Sequence, residues 1–141
     1  MRKSIRPFHA AYPITDIEKT REFYTNILGC TEGRSESNWV DFNFFGHQVV
    51  FHLDKTYKHA KITNIVDSEI VPVPHFGVVL EWNDWEDIVD KLKAANTVFL
   101  IEPYIRFKGK PGEQGTCFFQ DPNGLNLEFK AFREDSMIFA T

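Results

Sequence analysis

Cysteine is scarce. The 141-residue chain has two, Cys30 and Cys117, far apart and with no CxxC. Neither a disulfide framework nor a thiolate metal site fits that spacing. Cys117, in Thr116-Cys117-Phe118-Phe119, reads as a small buried strand residue. Basic runs are missing as well, and the formal net charge is −4, which argues against a nucleic-acid partner. No apolar stretch approaches the roughly 20 residues a membrane helix needs. Met1 to Arg6 run toward a strand without the apolar centre of a secretory signal, so a cytoplasmic location is expected.

Phenylalanine, in contrast, is abundant: there are 14, within an aromatic content of 15%. Many alternate with polar residues. In Trp39-Val40-Asp41-Phe42-Asn43-Phe44-Phe45, Val40, Phe42 and Phe44 share one strand face while Trp39, Asp41 and Asn43 share the other. One face of such a sheet packs a core. The other mixes aromatic and polar groups and suits a solvent-filled cup.

The same order of elements is written twice. A strand at Phe8 to Pro13 precedes a helix opening at Thr15 or Asp16, where Thr15 and Glu18 have capping-box spacing, and ending at Gly29. Strands follow near Cys30 to Arg34, Asn38 to Phe45 and His47 to Asp54. Residues 55 to 72 read as a polar linker. Then comes a strand at Pro74 to Glu81, and a helix from Asn83 with the stripe Trp85, Ile88, Val89 and Leu92, which Asn96 can close. Strands near Val98 to Phe107, Gly115 to Gln120 and Leu125 to Phe132 complete the second copy, the last two joined by Asp121-Pro122-Asn123-Gly124. The expectation is a single α+β domain of two βαβββ modules, about 8–54 and about 73–133, whose open curved mixed sheet surrounds one site.

Three residues stand out because they are ionisable yet lie in apolar strand runs: His9, His75 and Glu128. Buried without partners, each costs several kcal/mol. His9 and His75 hold equivalent places on the first strand of each copy. On the last strand Leu125, Leu127, Phe129 and Ala131 take the core side, which turns Asn126, Glu128 and Lys130 into the cup. Two histidines and a carboxylate on one surface form the facial triad that holds a divalent metal and leaves positions open. His52 shares parity with Gln48 and Val50 and faces the cup too, where an imidazole can act as acid or base. A fourth ligand or a lining residue are the other readings of His52. His47 reads as structural or exposed and His59 as solvated. Arg106 and Lys130 are candidate anion contacts, and Trp39, Tyr104 and Phe119 candidate pocket aromatics.

The stretches Phe8-His9-Ala10-Ala11-Tyr12-Pro13-Ile14-Thr15-Asp16-Ile17 and Phe118-Phe119-Gln120-Asp121-Pro122-Asn123-Gly124-Leu125-Asn126-Leu127-Glu128-Phe129-Lys130 resemble the first module and the metal-bearing last hairpin of the vicinal-oxygen-chelate superfamily. That superfamily groups glyoxalase I, bleomycin- and fosfomycin-resistance proteins and extradiol dioxygenases. The segments Trp39 to Gln48 and Pro72 to Leu80 resemble its extradiol-dioxygenase-like subgroup. The resemblance implies one divalent metal held by His9, His75 and Glu128, a small-molecule substrate, and dimer formation. Glyoxalase I adds a carboxylate from the strand that is here Gln48 to Leu53, which has no Glu. The chemistry expected is therefore Fe(II)-dependent ring cleavage of a catechol-type substrate, with His52 as the acid-base group. A Zn, Ni or Mn lyase, isomerase or transferase of glyoxalase type is the alternative, and a metal-free resistance-type binder a third.

Overall fold

The duplicated pattern becomes two sheets of one plan. The computed structural model describes residues 4–141 and separates into two compact units, one ending at Lys58 and one beginning at His59. In the first, β1 (His9–Ile14), β2 (Thr31–Glu36), β3 (Trp39–Phe44) and β4 (His47–Leu53) stand in the order β1-β4-β3-β2. The β1 and β4 strands are parallel and the other pairs antiparallel. A parallel pair needs a crossover, supplied by α1 (Ile17–Glu22) and the strands after it.

The α1 helix is capped by Asp16, whose side chain accepts from the Lys19 N–H at 3.0 Å, so Asp16 rather than Thr15 opens it. Past Glu22 the helix widens into a π turn over Phe23–Ile27, where the Leu28 N–H donates to Phe23 O at 3.1 Å. Phe23 and Leu28, five residues apart, are both buried, and the wider turn keeps them on one side. Gly29, at φ 74°, then ends the helical stretch. Tyr24 is fully buried among Phe42 and Phe51, with ring centroids at 5.5 and 4.6 Å. Val40, Phe42 and Phe44 fill this core, as their alternation predicts.

The second unit opens with an element the polar composition of 55 to 72 conceals. Ile62–Val66 (β5) and Glu69–Val73 (β6) pair as a hairpin, where a linker is expected from the sequence. Its two-residue turn, Asp67-Ser68, has φ 48° and 68°, the left-handed pair that matches strand twist. Then come β7 (Phe76–Leu80), α2 (Trp82–Ala94), β8 (Phe99–Arg106), β9 (Gln114–Gln120) and β10 (Asn126–Phe132), in the sheet order β7-β10-β9-β8. Once more the first strand lies parallel beside the last. The α2 helix begins before Asn83 and has no side-chain cap; Glu86 instead accepts from the Trp82 indole N–H at 2.9 Å. Asn96, at φ 55°, follows its end as expected.

The buried stripe of Trp85, Ile88, Val89 and Leu92 packs the second core with Leu127, Phe129 and Ala131. Trp85 donates from Nε1 to Phe129 O at 3.0 Å. Its ring covers Gly115, where a Cβ would come within 2.8 Å of it. The α+β class and the open mixed sheets of two βαβββ modules thus hold, as two four-stranded sheets and a hairpin.

Candidate metal centre

In the second unit, strand pairing brings Glu128 beside His75. Gly77 of β7 sits opposite Glu128 of β10, and a Cβ on Gly77 would lie 1.6 Å from the Glu128 carbonyl oxygen. Only glycine lets β7 approach this closely. His75, just before β7, then reaches the carboxylate: Nε2 is 3.1 Å from Glu128 Oε2. Its other nitrogen, Nδ1, is 2.7 Å from Pro72 O, so the ring N–H donates to that carbonyl. A carbonyl can only accept, which fixes the proton on Nδ1 and aims Nε2 at the carboxylate. The Thr116 hydroxyl donates to Glu128 Oε1 at 2.8 Å, and Lys130 Nζ lies 3.8 Å from the same oxygen.

This pair favours a positive charge between its members. The hydrogen bond to Glu128 raises the pKa of His75, against the opposing effect of burial. Burial pushes Glu128 upward, but hydrogen bonds from His75 and Thr116 and the charge of Lys130 together hold it below its ordinary value. A divalent cation asks for the same arrangement. Two ligands at about 2.1 Å and at right angles stand about 3.0 Å apart, close to the 3.1 Å between Nε2 and Oε2. The donor set therefore fits a metal, with Nδ1 anchored as ligating histidines usually are. Among the described residues no three His, Cys, Asp or Glu side chains converge into one metal-holding group.

The pair opens on a cavity of about 160 Å³ lined by Tyr104, Arg106, Thr116, Phe118 and Lys130, together with Val66, Asp67, Glu69 and Val71 of the hairpin. Arg106 forms an ion pair with Asp67 at the hairpin turn. Burial, then the charges of Glu69 and Glu128, raise the Tyr104 hydroxyl, which stays a neutral donor. Tyr104, Arg106 and Lys130 thus line one cavity with His75 and Glu128. Phe119 does not. It is fully buried against Phe129, centroids 5.1 Å apart, because it pairs with Leu127 on the core face. Its neighbour Phe118, opposite Glu128, is the pocket aromatic, its ring edge-on to His75 at 5.0 Å.

In the first unit His9 is exposed on β1 and faces Gln48, its register partner on β4; His9 Nδ1 and Gln48 Oε1 are 2.9 Å apart. His52 lies on the same face four residues along β4, about 13 Å of strand rise, with half-buried Trp39 as its cross-strand neighbour. His47 accepts at Nδ1 from the Phe8 N–H at 3.0 Å, a structural role as expected. His59, expected to be solvated, is instead half-buried, 3.5 Å from the position a Cβ would take on Gly124, and burial lowers its pKa.

The model of the Glyoxalase/Bleomycin resistance protein/Dioxygenase superfamily matches residues 6–129. The chain belongs to this superfamily. A glyoxalase/bleomycin resistance protein/dioxygenase from Alicyclobacillus acidocaldarius is similar at 28% identity and TM-score 0.78, over 99% of this chain and 100% of that one. A fosfomycin resistance protein from Listeria monocytogenes shares the fold at 16% identity and TM-score 0.69, over 98% and 100%. A glyoxalase/dioxygenase from Nostoc punctiforme does so at 16% and 0.67, over 95% and 99%. No curated protein gives a significant match.

Within this superfamily member the two modules can be overlaid by register. Gly77 pairs with Glu128 in the second, and Ala11 pairs with Val50 in the first. Val50 is therefore the first module's counterpart of Glu128, and His52 that of Lys130. The first module offers an apolar side chain where the second offers a carboxylate. Thr116, Phe118 and Asp67 escape a reading of the sequence alone. Thr116 and Phe118 alternate in an ordinary way along β9; only the pairing of β9 with β10 sets them on the Glu128 face.

Proposed function

We propose that the chain is a metal-dependent vicinal-oxygen-chelate enzyme whose ligands are His9, His75 and Glu128. The observation that carries this reading is the His75–Glu128 pair, 3.1 Å apart with the outer imidazole nitrogen tied to Pro72 O. A divalent ion held by such a triad supplies a Lewis-acidic centre, redox-active if it is Fe(II), with positions open for two neighbouring substrate oxygens. The valine at the first module's counterpart of Glu128 supports three protein ligands rather than four. That number favours Fe(II) and oxygen-dependent ring cleavage of a catechol-type substrate over glyoxalase-type chemistry with Zn, Ni or Mn.

The remaining residues have separate tasks. Arg106 and Lys130 place two cations on the cavity for an anionic substituent. Phe118 offers its ring to an aromatic substrate, and hydroxyls from Tyr104 and Thr116 orient polar groups. His52, on the His9 face of β4, moves the substrate hydroxyl proton.

The test is oxygen consumption by anaerobically prepared, Fe(II)-loaded protein across a panel of catechols. Stoichiometric O2 uptake with a yellow ring-opened product is expected, and none with the Zn-loaded protein. Failure across the panel at confirmed Fe(II) occupancy, or turnover of a thiol hemiacetal by the Ni or Zn form, would transfer the reaction to the glyoxalase type.

A further inference from the structure

The two histidines are held by acceptors of different kinds. His75 Nδ1 meets a backbone carbonyl, Pro72 O, which cannot change its role. His9 Nδ1 meets a side-chain amide, that of Gln48. An amide turned by 180° offers a donor where it offered an acceptor, and the imidazole then carries its proton on the opposite nitrogen. Something must set the amide.

Asp41 is placed to do this. Its carboxylate is buried, at 6% exposure, and Oδ2 lies 3.4 Å from Gln48 Nε2. The other oxygen, Oδ1, accepts from the Arg34 N–H at 2.6 Å. Both carboxylate oxygens accept, so the amide presents its NH2 to Asp41 and its oxygen to His9. The oxygen in turn requires a proton on His9 Nδ1 and leaves Nε2 with its lone pair. The backbone makes room for the device: β2 and β3 slip register between Glu32 and Ser35, and a Cβ on Gly33 would fall 2.1 Å from Asp41 Oδ1. Gly33 thus leaves the space that the carboxylate fills.

We infer that Asp41 and Gln48 are positioning residues that lock His9 in the tautomer whose Nε2 is free to ligate metal. The inference rests on the proposed role of His9, and it makes a claim about the metal-free ring that can be checked on its own. Asp41→Asn is the decisive variant. The asparagine oxygen still accepts from Arg34, but its NH2 then faces Gln48, which must turn its oxygen toward position 41 and its NH2 toward His9.

Long-range 1H–15N spectra of the metal-free protein, recorded about two units above the reference histidine pKa, report the tautomer. Wild type should show His9 protonated at Nδ1, and Asp41→Asn should show it at Nε2. Competition with a chromogenic chelator should then show Fe(II) or Zn(II) held about 10–100-fold more weakly by the variant, the usual effect of losing a residue that orients a ligand. The double variant Asp41→Asn/Gln48→Glu restores an acceptor beside His9, because the new carboxylate can accept a hydrogen bond from each neighbour; tautomer and affinity should return together. A residue serving stability alone gives no such rescue.

An Nε2-protonated His9 in wild type, or an Asp41→Asn variant with unchanged tautomer and affinity, overturns the inference. Should Asp41→Asn fail to fold, Gln48→Met, which removes the acceptor and leaves Asp41 in place, must release the tautomer preference or the inference falls. Wild-type protein that shows the Nδ1 tautomer but binds no metal would refute the metal reading and leave the lock standing.

Discussion

Thr116→Val isolates one hydrogen bond to the candidate metal ligand. The substitution keeps the branched shape of a 3%-exposed side chain and removes the hydroxyl that donates to Glu128 Oε1 at 2.8 Å. A hydrogen bond to a charged group contributes about 1.5–3 kcal/mol. Glu128 retains 16% side-chain exposure and keeps His75 and Lys130 nearby, so water and these neighbours recover part of the loss. About 1–2 kcal/mol of destabilisation at pH 7 is expected, seen as a melting temperature lower by several degrees. The effect must depend on pH. Because the folded-state pKa of Glu128 is depressed, its contribution is present above the unfolded carboxylate value and is lost as pH falls through the folded one. The gap between variant and wild type should therefore shrink below about pH 4. Urea unfolding of both proteins from pH 3 to pH 7, without metal, measures this. A gap that is constant with pH would show that Thr116 acts through packing and refute the hydrogen-bond reasoning.

Other consequences are as direct. In metal-free protein His75 titrates above its ordinary value, so its contribution is full below about pH 6.5 and is lost as pH rises through the folded value, while that of Glu128 is lost on the acid side. Melting curves should place the greatest advantage of wild type over Glu128→Gln between these limits, and an advantage that persists unchanged at pH 9 would contradict the pairing. Gly77→Ala drives a Cβ toward a carbonyl oxygen 1.6 Å away; a loss of about 3 kcal/mol or more in chemical denaturation is expected, with metal affinity falling alongside. His52→Ala should lower turnover by about a hundredfold at unchanged metal content, measured by steady-state kinetics and elemental analysis; loss of the metal would make His52 a ligand.

Period-two alternation was enough to put Glu128 and Lys130 on one face of β10 and Leu127 and Phe129 on the other, and to give each histidine the same place in its module. It could not choose between Phe118 and Phe119, since both are aromatic and the choice depends on which β9 residue stands opposite Glu128. The β5–β6 hairpin escaped because its strands, Ile62–Val66 and Glu69–Val73, are mostly exposed and carry no buried stripe. Its turn residues, Asp67 and Ser68, were the one local signal. Asp41 reads as a polar residue on a cup face until the β2 bulge over Gly33 and the register with Gln48 show what its oxygens meet.

The three proposed ligands stand on backbones of unequal constraint. Glu128 lies on β10, an inner strand with hydrogen-bonded neighbours on both sides, whereas His9 lies on β1, an edge strand of its sheet, and His75 leads into β7, an edge strand of the other. The carboxylate is thus the more constrained donor, and adjustment to ions of different radius would fall to the imidazoles. Amide exchange should record this inequality: slow at Glu128 whatever ion is bound, and responsive to the ion's size at His9 and His75.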